Sequence, residues 1–194
     1  MPAFRYNVGY TARVNPTGIP AGDRLTKTEL WQGVKRGARF PGDFAEHVQR
    51  CTVLSGSGDN FVREIVIGKH GVHAAEGTAM IQDVALVDGL YLLATTRGSG
   101  AKTTMMVTYG CGEADLDAQE NDPHLTLFYE LVMDENESPA AGSDEAKGII
   151  SGYRELAKRI VGESIDLIRA WKKSGRLAEL VAQETSEVKL NGSK

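Results

Sequence analysis

A single arginine stands among apolar residues in the stretch FVREIVIG, which reads as a strand. The residues that share the alternation of Arg63 are Phe61, Ile65 and Ile67. A strand turns all four of these side chains to one face. A guanidinium on a buried face can hold a carboxylate, enolate or carbonyl oxygen of a ligand. The alternatives are that Arg63 pairs with a carboxylate such as Glu76 or Glu130, or that it faces solvent.

Two tyrosines offer hydroxyl groups on other predicted strands. Tyr109 lies in TTMMVTYGC and Tyr129 lies in HLTLFYELVMD, and both follow the apolar alternation of their strand. A tyrosine hydroxyl can donate a hydrogen bond to a carbonyl in apolar surroundings. We predict that both point inward and, together with Arg63, polarise a ligand carbonyl. The alternative is core packing in which each hydroxyl reaches a backbone carbonyl.

His47 is a candidate general base, because an imidazole titrates near neutral pH. The alternative is an ordinary surface histidine. His70 and His73 would lie on opposite faces of a strand, so they are poorly placed to share a metal ion. The sequence GSGAK lies between two strands and not before a helix, and no G-x-S-x-G sequence occurs. We therefore predict no metal and no cofactor.

Helices and strands must position these residues. The first predicted strand covers residues 3–14 and has one apolar face. After a loop at 15–22, Thr26 and Glu29 have the spacing of a capping box, and Pro41 ends the helix that they begin. The apolar stripe of this helix comprises Leu30, Trp31, Val34 and Ala38. A second short helix is predicted at 42–49, carrying Phe44, His47 and Val48.

Six further strands are predicted after residue 50, separated by glycine-rich turns, and an antiparallel meander is their natural arrangement. An acidic linker follows, and Ser143 or Asp144 is predicted to cap the start of the helix after it. From Ile149 to Trp171, apolar residues recur every three or four positions, which predicts a long amphipathic helix ending at Gly175. LAELVAQET would add a short helix and EVKLNGSK a frayed tail. We predict one domain, 1–175, with an extension at 176–194.

The composition excludes several partners. The 194 residues carry a net charge of −4, which gives no electrostatic reason to bind nucleic acid or an anionic membrane. No apolar run is long enough for a membrane span, and MPAFRYNVGY lacks the pattern of a secretory signal. Cys51 and Cys111 have no CxxC spacing and read as buried free thiols. We expect a cytoplasmic protein and leave a homodimer open.

The order of elements resembles the helix-grip fold of the START and birch-pollen-allergen superfamily, also called SRPBCC. Within it, residues 25–67 resemble the AtaL-like family. The matching pieces are the Leu-Thr start at 25, Leu30-Trp31-x-Gly33, Ala38-Arg39-x-Pro41, Phe44, Cys51-x-Val53 and Arg63-Glu64. The resemblance implies an α+β fold in which a curved, seven-stranded antiparallel sheet grips the long C-terminal helix. The break at Pro41-Gly42 would let the chain turn between two short plug helices.

That fold would leave an apolar space between the sheet and the long helix. The strand residues predicted to line it, beside Arg63, are Phe61, Ile65, Met105, Val107, Tyr109, Leu127, Tyr129 and Leu131. The helices would add Trp31, Arg39, Phe44, Ile160 and Ser164, with His47 near the entrance. Trp31 is otherwise a core residue, and Arg39 otherwise caps the end of its helix.

Two functions follow from this resemblance, because some fungal members of the family lie near secondary-metabolite genes. The first is a tailoring protein that binds an apolar polycyclic or polyketide-like intermediate and catalyses a cofactor-free cyclisation, isomerisation or dehydration. The second is a carrier of a hydrophobic ligand or lipid without catalysis. A third interpretation, a protein-interaction module, requires that protein side chains fill the space.

Overall fold

The computed structural model describes residues 4–72, 74–109, 122–133 and 138–191, with side chains to residue 183. Two residues singled out in the sequence, His73 and Cys111, lie outside the described residues. None of the helices in the described part of the chain has the length and apolar content that crossing a bilayer requires.

Seven strands form one antiparallel sheet, as the sequence predicts. They are β1 (Arg5–Arg13), β2 (Val48–Ser57), β3 (Asn60–Ile67), β4 (Ala79–Val87), β5 (Tyr91–Thr96), β6 (Lys102–Tyr109) and β7 (Pro123–Val132). Their order across the sheet is β1-β7-β6-β5-β4-β3-β2, so the first strand pairs with the last. In that pair Arg5 lies opposite Val132 and Arg13 opposite His124. The remaining strands follow the chain as a meander.

Helix α1 (Lys27–Arg39) begins at the predicted capping box. The Glu29 amide donates to Thr26 Oγ1 at 3.1 Å, and the Thr26 amide donates to Glu29 Oε2 at 2.9 Å. These bonds satisfy two amide groups that a helix start leaves without partners. The helix ends before Pro41, as predicted, because proline disfavours a helical conformation at the residue before it.

The second short helix predicted at 42–49 is wrong. Only one 3-10 turn forms, at Pro41–Asp43, and β2 already begins at Val48. His47 lies in a turn, where its carbonyl accepts a hydrogen bond from the Gly68 amide at 2.8 Å. A second 3-10 turn, Ala21–Asp23, lies in the segment between β1 and α1.

Helix α2 (Asp144–Ser174) is the long helix predicted from the apolar repeat. Ser143 caps its start, because Ser143 Oγ accepts from the Ala146 amide at 3.1 Å. Gly175 ends it with φ of 78°, a conformation that glycine adopts without strain. Helix α3 (Arg176–Asn191) follows directly and extends through most of the predicted frayed tail. Its first turns anchor it, since Leu177 and Leu180 are buried in the core.

The core lies between the sheet, α2 and α1. Trp31 is buried and its Nε1 donates to Asp88 Oδ1 at 2.7 Å, which ties α1 to the β4–β5 turn. Lys172 and Glu29 form an ion pair at 2.8 Å between α2 and α1. The two helices approach so closely at Gly33 that a Cβ atom there would lie 2.3 Å from Ile168 Cδ1. The packing of α1 on α2 therefore requires a residue without a side chain at position 33.

Candidate ligand cavity

A cavity of about 110 Å³ lies between the inner face of the sheet, α2, and the end of α1. The predicted residues that line it are Phe44, His47, Arg63, Ile65, Met105, Leu127, Tyr129, Ile160 and Ser164. The other lining residues are Gly33, Val34, Gly37, Pro41, Ala45, Val48, Gln82, Leu92, Thr103 and Ile168. The space is therefore apolar with a few polar groups, the usual character of a small-molecule site.

Arg63 reaches the cavity from β3 and is 5% exposed. Its Nε donates to Gln82 Oε1 at 2.9 Å, and its Nη1 donates to the Ala38 carbonyl at the end of α1. Gln82 Nε2 in turn donates to Thr96 Oγ1 at 3.3 Å. A relay of hydrogen bonds thus runs across β3, β4 and β5 and holds the guanidinium in place.

The inward direction of Arg63 agrees with its alternation, but the predicted carboxylate partners are wrong. Glu130 pairs instead with Lys102 at 3.2 Å, and Glu76 is exposed. Among the described residues Arg63 has only neutral hydrogen-bond partners. Burial lowers the pKa of Arg63 to about 10, so the side chain stays cationic at neutral pH.

Tyr129 also points inward, as predicted, and is buried on β7. Its ring meets that of Tyr153 of α2 edge to face, with 5.0 Å between the ring centroids. Burial raises the pKa of Tyr129 and that of Tyr153, so both hydroxyls are protonated at neutral pH. Tyr129 can therefore act as a hydrogen-bond donor in the cavity.

Two polar atoms at the cavity have unused hydrogen-bonding capacity. Ser164 Oγ on α2 and His47 Nδ1 are buried and have no hydrogen-bond partner within the part of the chain that the structure describes. Ser164 is fully buried. Buried polar groups normally have partners, so a bound molecule is a natural source of the missing ones. Burial, and then the positive charge of Arg159, lower the pKa of His47, which favours a neutral imidazole at neutral pH.

The lowered pKa of His47 predicts a pH dependence of stability. An unfolded chain has an ordinary histidine pKa, 6.5, so it binds more protons than the folded chain once the pH falls below about 7. The free energy of unfolding should therefore fall as the pH drops through 6.5 toward the folded-state pKa. In His47→Gln this loss should be smaller, measured by urea unfolding at about pH 7.5 and about pH 5.5.

The exposed His70 provides the control for this prediction. His70 has φ of 68°, which asparagine tolerates well, so His70→Asn leaves the backbone unstrained. This variant should keep the pH dependence of the unmodified protein. Equal pH dependence in His47→Gln and the unmodified protein would show that His47 titrates normally.

The prediction that Tyr109 lines the cavity is wrong. Tyr109 is 41% exposed at the last position of β6, and Lys27 Nζ at the start of α1 lies 4.3 Å from its ring centroid. Alternation along β6 tells which side chains share a face, but it predicts burial only where another element covers that face. At the end of β6 this face meets solvent, since Val107 is fully buried and Tyr109 is exposed.

Trp31 and Arg39 do not line the cavity either. Trp31 is a core residue, as in the alternative interpretation. Arg39 Nη2 donates to the Gly58 carbonyl at 2.7 Å, and its guanidinium carbon lies 4.6 Å from the Phe61 ring centroid. Arg39 therefore fastens the end of α1 to the β2–β3 turn instead of capping its own helix.

Three other predicted lining residues are buried but lie away from the cavity: Phe61, Val107 and Leu131. Strand alternation assigns a residue to the inner face, but it does not tell where along the strand the space opens. Four of the ten lining residues that were not predicted, Gly33, Val34, Gly37 and Pro41, come from α1 and its end. The four-residue spacing of Gly33 and Gly37 on the predicted apolar helix was the available signal, because glycine allows close approach at a helix surface.

Comparison with known proteins gives the context of this geometry. Residues 8–175 match the model of the family described as acetylaranotin biosynthesis cluster protein L, AtaL. The protein of that name from Aspergillus terreus (strain NIH 2624 / FGSC A1156) is 31% identical over 179 residues, covering 91% of this chain and 96% of that protein.

Solved structures share the fold at low sequence identity. The di-domain ARO/CYC StfQ of the steffimycin biosynthetic pathway has a TM-score of 0.58 and 9% identity, over 89% of this chain. This chain spans about half, 52%, of StfQ. Zhui aromatase/cyclase from Streptomyces sp. R1128 has a TM-score of 0.53 and 11% identity, over 88% of this chain and 94% of that one. Ara h 8.0201 has a TM-score of 0.50 and 9% identity, over 88% and 99%.

The family match covers most of the described domain, and the solved structures agree with the helix-grip architecture. The resemblance seen in residues 25–67 extends to nearly the whole chain. The chain belongs to the AtaL family of helix-grip proteins.

Proposed function

We propose that this protein is a tailoring enzyme of secondary metabolism that binds an apolar, polyketide-like intermediate in the cavity. It would catalyse a cyclisation, isomerisation or dehydration without a cofactor. The single observation that carries the proposal is the buried Arg63 cation at an apolar cavity, held by neutral partners only among the described residues. Strongly perturbed charged groups in a cavity are typical of functional sites.

The comparisons support the setting. A relative that shares almost its full length with this chain is named as a biosynthesis cluster protein, and two proteins with the same fold are named as aromatase/cyclases.

The volume of the cavity limits the size of the ligand group that can enter. At about 110 Å³ it is smaller than the pockets of about 300–1,000 Å³ that bury drug-sized ligands. We propose that one reacting ring or chain end enters, while the rest of the intermediate lies toward the entrance.

The side chains supply a complete proton path in this proposal. Neutral His47 takes a proton from a carbon beside a ligand carbonyl, and the electron pair of that bond moves to the carbonyl oxygen. Arg63 and Tyr129 donate hydrogen bonds to the resulting enolate oxygen. The protonated imidazole then returns the proton to another carbon, which completes an isomerisation. If it protonates a hydroxyl group instead, that group leaves as water and the reaction is a dehydration.

The test is to remove the gene from the source organism and compare its secondary metabolites by mass spectrometry. We expect an intermediate to accumulate that is two hydrogens and one oxygen heavier than the product, or isomeric with it. Adding purified protein to the isolated intermediate should form the product. An unchanged metabolite profile, including product stereochemistry, would contradict the proposed role.

A non-catalytic carrier is the second candidate, favoured by the apolar lining and the small number of polar groups. Native mass spectrometry after incubation with the accumulated intermediate distinguishes the two. A carrier retains the intermediate unchanged, whereas an enzyme releases a converted product.

A further inference from the structure

We infer that the cavity selects a ligand group that carries a negative charge and is about the size of one ring, and that it binds this charge at Arg63. The group would be a carboxylate or an ionised enol or phenol on the part of the ligand that enters. The inference rests on the small-molecule binding proposed above and goes beyond it in specifying charge and size.

The first support is the uncompensated charge of Arg63. The side chain is more than nine-tenths buried, and the groups that accept its hydrogen bonds are an amide oxygen of Gln82 and the Ala38 carbonyl. Both acceptors are neutral. These bonds come from Nε and Nη1, and within the described residues Nη2 has no protein acceptor, so it can donate to a ligand. A buried cation is most favourable when an anion faces it.

The second support is the chemistry of the lining. None of the described residues that line the cavity is an aspartate or a glutamate. Tyr129, Ser164 and Thr103 each carry a hydroxyl that can donate a hydrogen bond. Arg159 lies on α2 outside the lining, and its positive charge acts on both His47 and Tyr129. Arg63, which lines the cavity, and Arg159, which acts on its lining, are both positive, which disfavours a cationic ligand and favours an anionic one.

The third support is the size of the space. An apolar cavity of about 150 Å³ in another protein accommodates benzene. The present cavity, about 110 Å³, is of the same order but smaller, so a group of about one ring is the largest that it admits without rearrangement.

Gln82 is the residue whose type sets this preference. It lies beside Arg63 on β4, directly opposite in the register, and bonds Nε through its side-chain oxygen. A glutamate in the same place has nearly the same shape, but it would neutralise Arg63 from within the protein. Gln82→Glu therefore removes the charge preference while leaving the volume of the cavity almost unchanged.

The experiment compares benzoate with its neutral analogue benzamide, by calorimetric titration of the full chain at neutral pH. We expect benzoate to bind at least tenfold more tightly than benzamide, and we expect Gln82→Glu to abolish or reverse this ratio. Asp83→Asn is the matched control, since Asp83 is the next residue of β4, pairs with Arg97 and lies outside the cavity. This control should keep the ratio of the unmodified protein. The ratio in the unmodified protein remains decisive if Gln82→Glu does not fold.

A third probe separates the two kinds of anion. 4-Nitrophenol ionises near neutral pH and only its anion is yellow, so increased colour on adding the protein shows binding of the ionised phenol. A preference for benzoate alone assigns the site to carboxylates, and increased colour alone assigns it to ionised enols or phenols. Equal binding of benzoate and benzamide without a colour change overturns the inference but leaves the proposed small-molecule role intact. If none of the three probes binds, the inference fails, and the metabolite comparison above still decides the proposed function.

Discussion

Replacing Arg63 by glutamine is expected to lower the turnover of the accumulated intermediate by about 10²- to 10³-fold, the usual effect of removing one aimed donor from a developing oxyanion. The glutamine retains a hydrogen-bond donor but loses the positive charge. The measurement is the rate of product formation by the purified protein, followed by mass spectrometry. If the protein is only a carrier, the same change should weaken ligand binding and no turnover will be seen in either form.

The free energy of unfolding of Arg63→Gln should stay close to that of the unmodified protein. A buried charge without a counter-charge is costly, so its removal offsets the lost bonds to Gln82 and Ala38. Loss of function with retained stability would identify Arg63 as a functional group. Arg97→Gln is the control, because Arg97 pairs with Asp83 at 2.7 Å on the surface and both side chains are exposed. Full activity in Arg63→Gln would remove Arg63 from the mechanism.

Replacing Gly33 by alanine is expected to destabilise the fold by about 1–3 kcal/mol, the typical cost of overpacking a core. The new Cβ atom would lie 2.3 Å from two carbon atoms of Ile168, so α1 and α2 must separate or Ile168 must leave its position. Because Gly33 and Ile168 both line the cavity, the same change should weaken ligand binding. Chemical denaturation and calorimetric titration measure the two effects.

Two further variants make the Gly33 result specific. Gly162 lies in α2, and a Cβ atom added there would meet no neighbouring segment within 4 Å, so Gly162→Ala should stabilise the protein by about 0.5–1 kcal/mol. Ile168→Ala removes the atoms that the methyl group of Gly33→Ala would strike. The double variant should therefore be less destabilised than the sum of the two single changes. Additive effects, or a stable Gly33→Ala protein with normal binding, would show that the close approach of the helices is unimportant.

The sequence predicted those parts of the fold that depend on local chemistry. Thr26, Pro41 and Gly175 act on the backbone within a few residues of themselves, so the start of α1, its end and the end of α2 could be predicted. Arg63 was correctly placed on the inner face, because alternation in a strand is a local property.

What the sequence could not predict depends on contacts between distant segments. The neutral partners of Arg63 come from β4 and from the end of α1, 19 and 25 residues away in the chain. The exposure of Tyr109 depends on how far the cover of the sheet by other elements extends along β6. The weak helical pattern of residues 42–49 predicts a helix at His47, whereas the structure has a turn there, bonded to Gly68. Such contacts leave no periodic signal in the sequence.

The pairing of β1 with β7 also has a consequence for how the protein is made. Arg5 lies opposite Val132, so β1 cannot pair with β7 until most of the domain has been synthesised. Contacts between such distant positions carry a large loop-closure cost, and they slow folding. Helix α2 is synthesised later still. The cavity is therefore among the last features to form during synthesis, and a product truncated before α2 would leave the apolar inner face of the sheet uncovered and prone to aggregate.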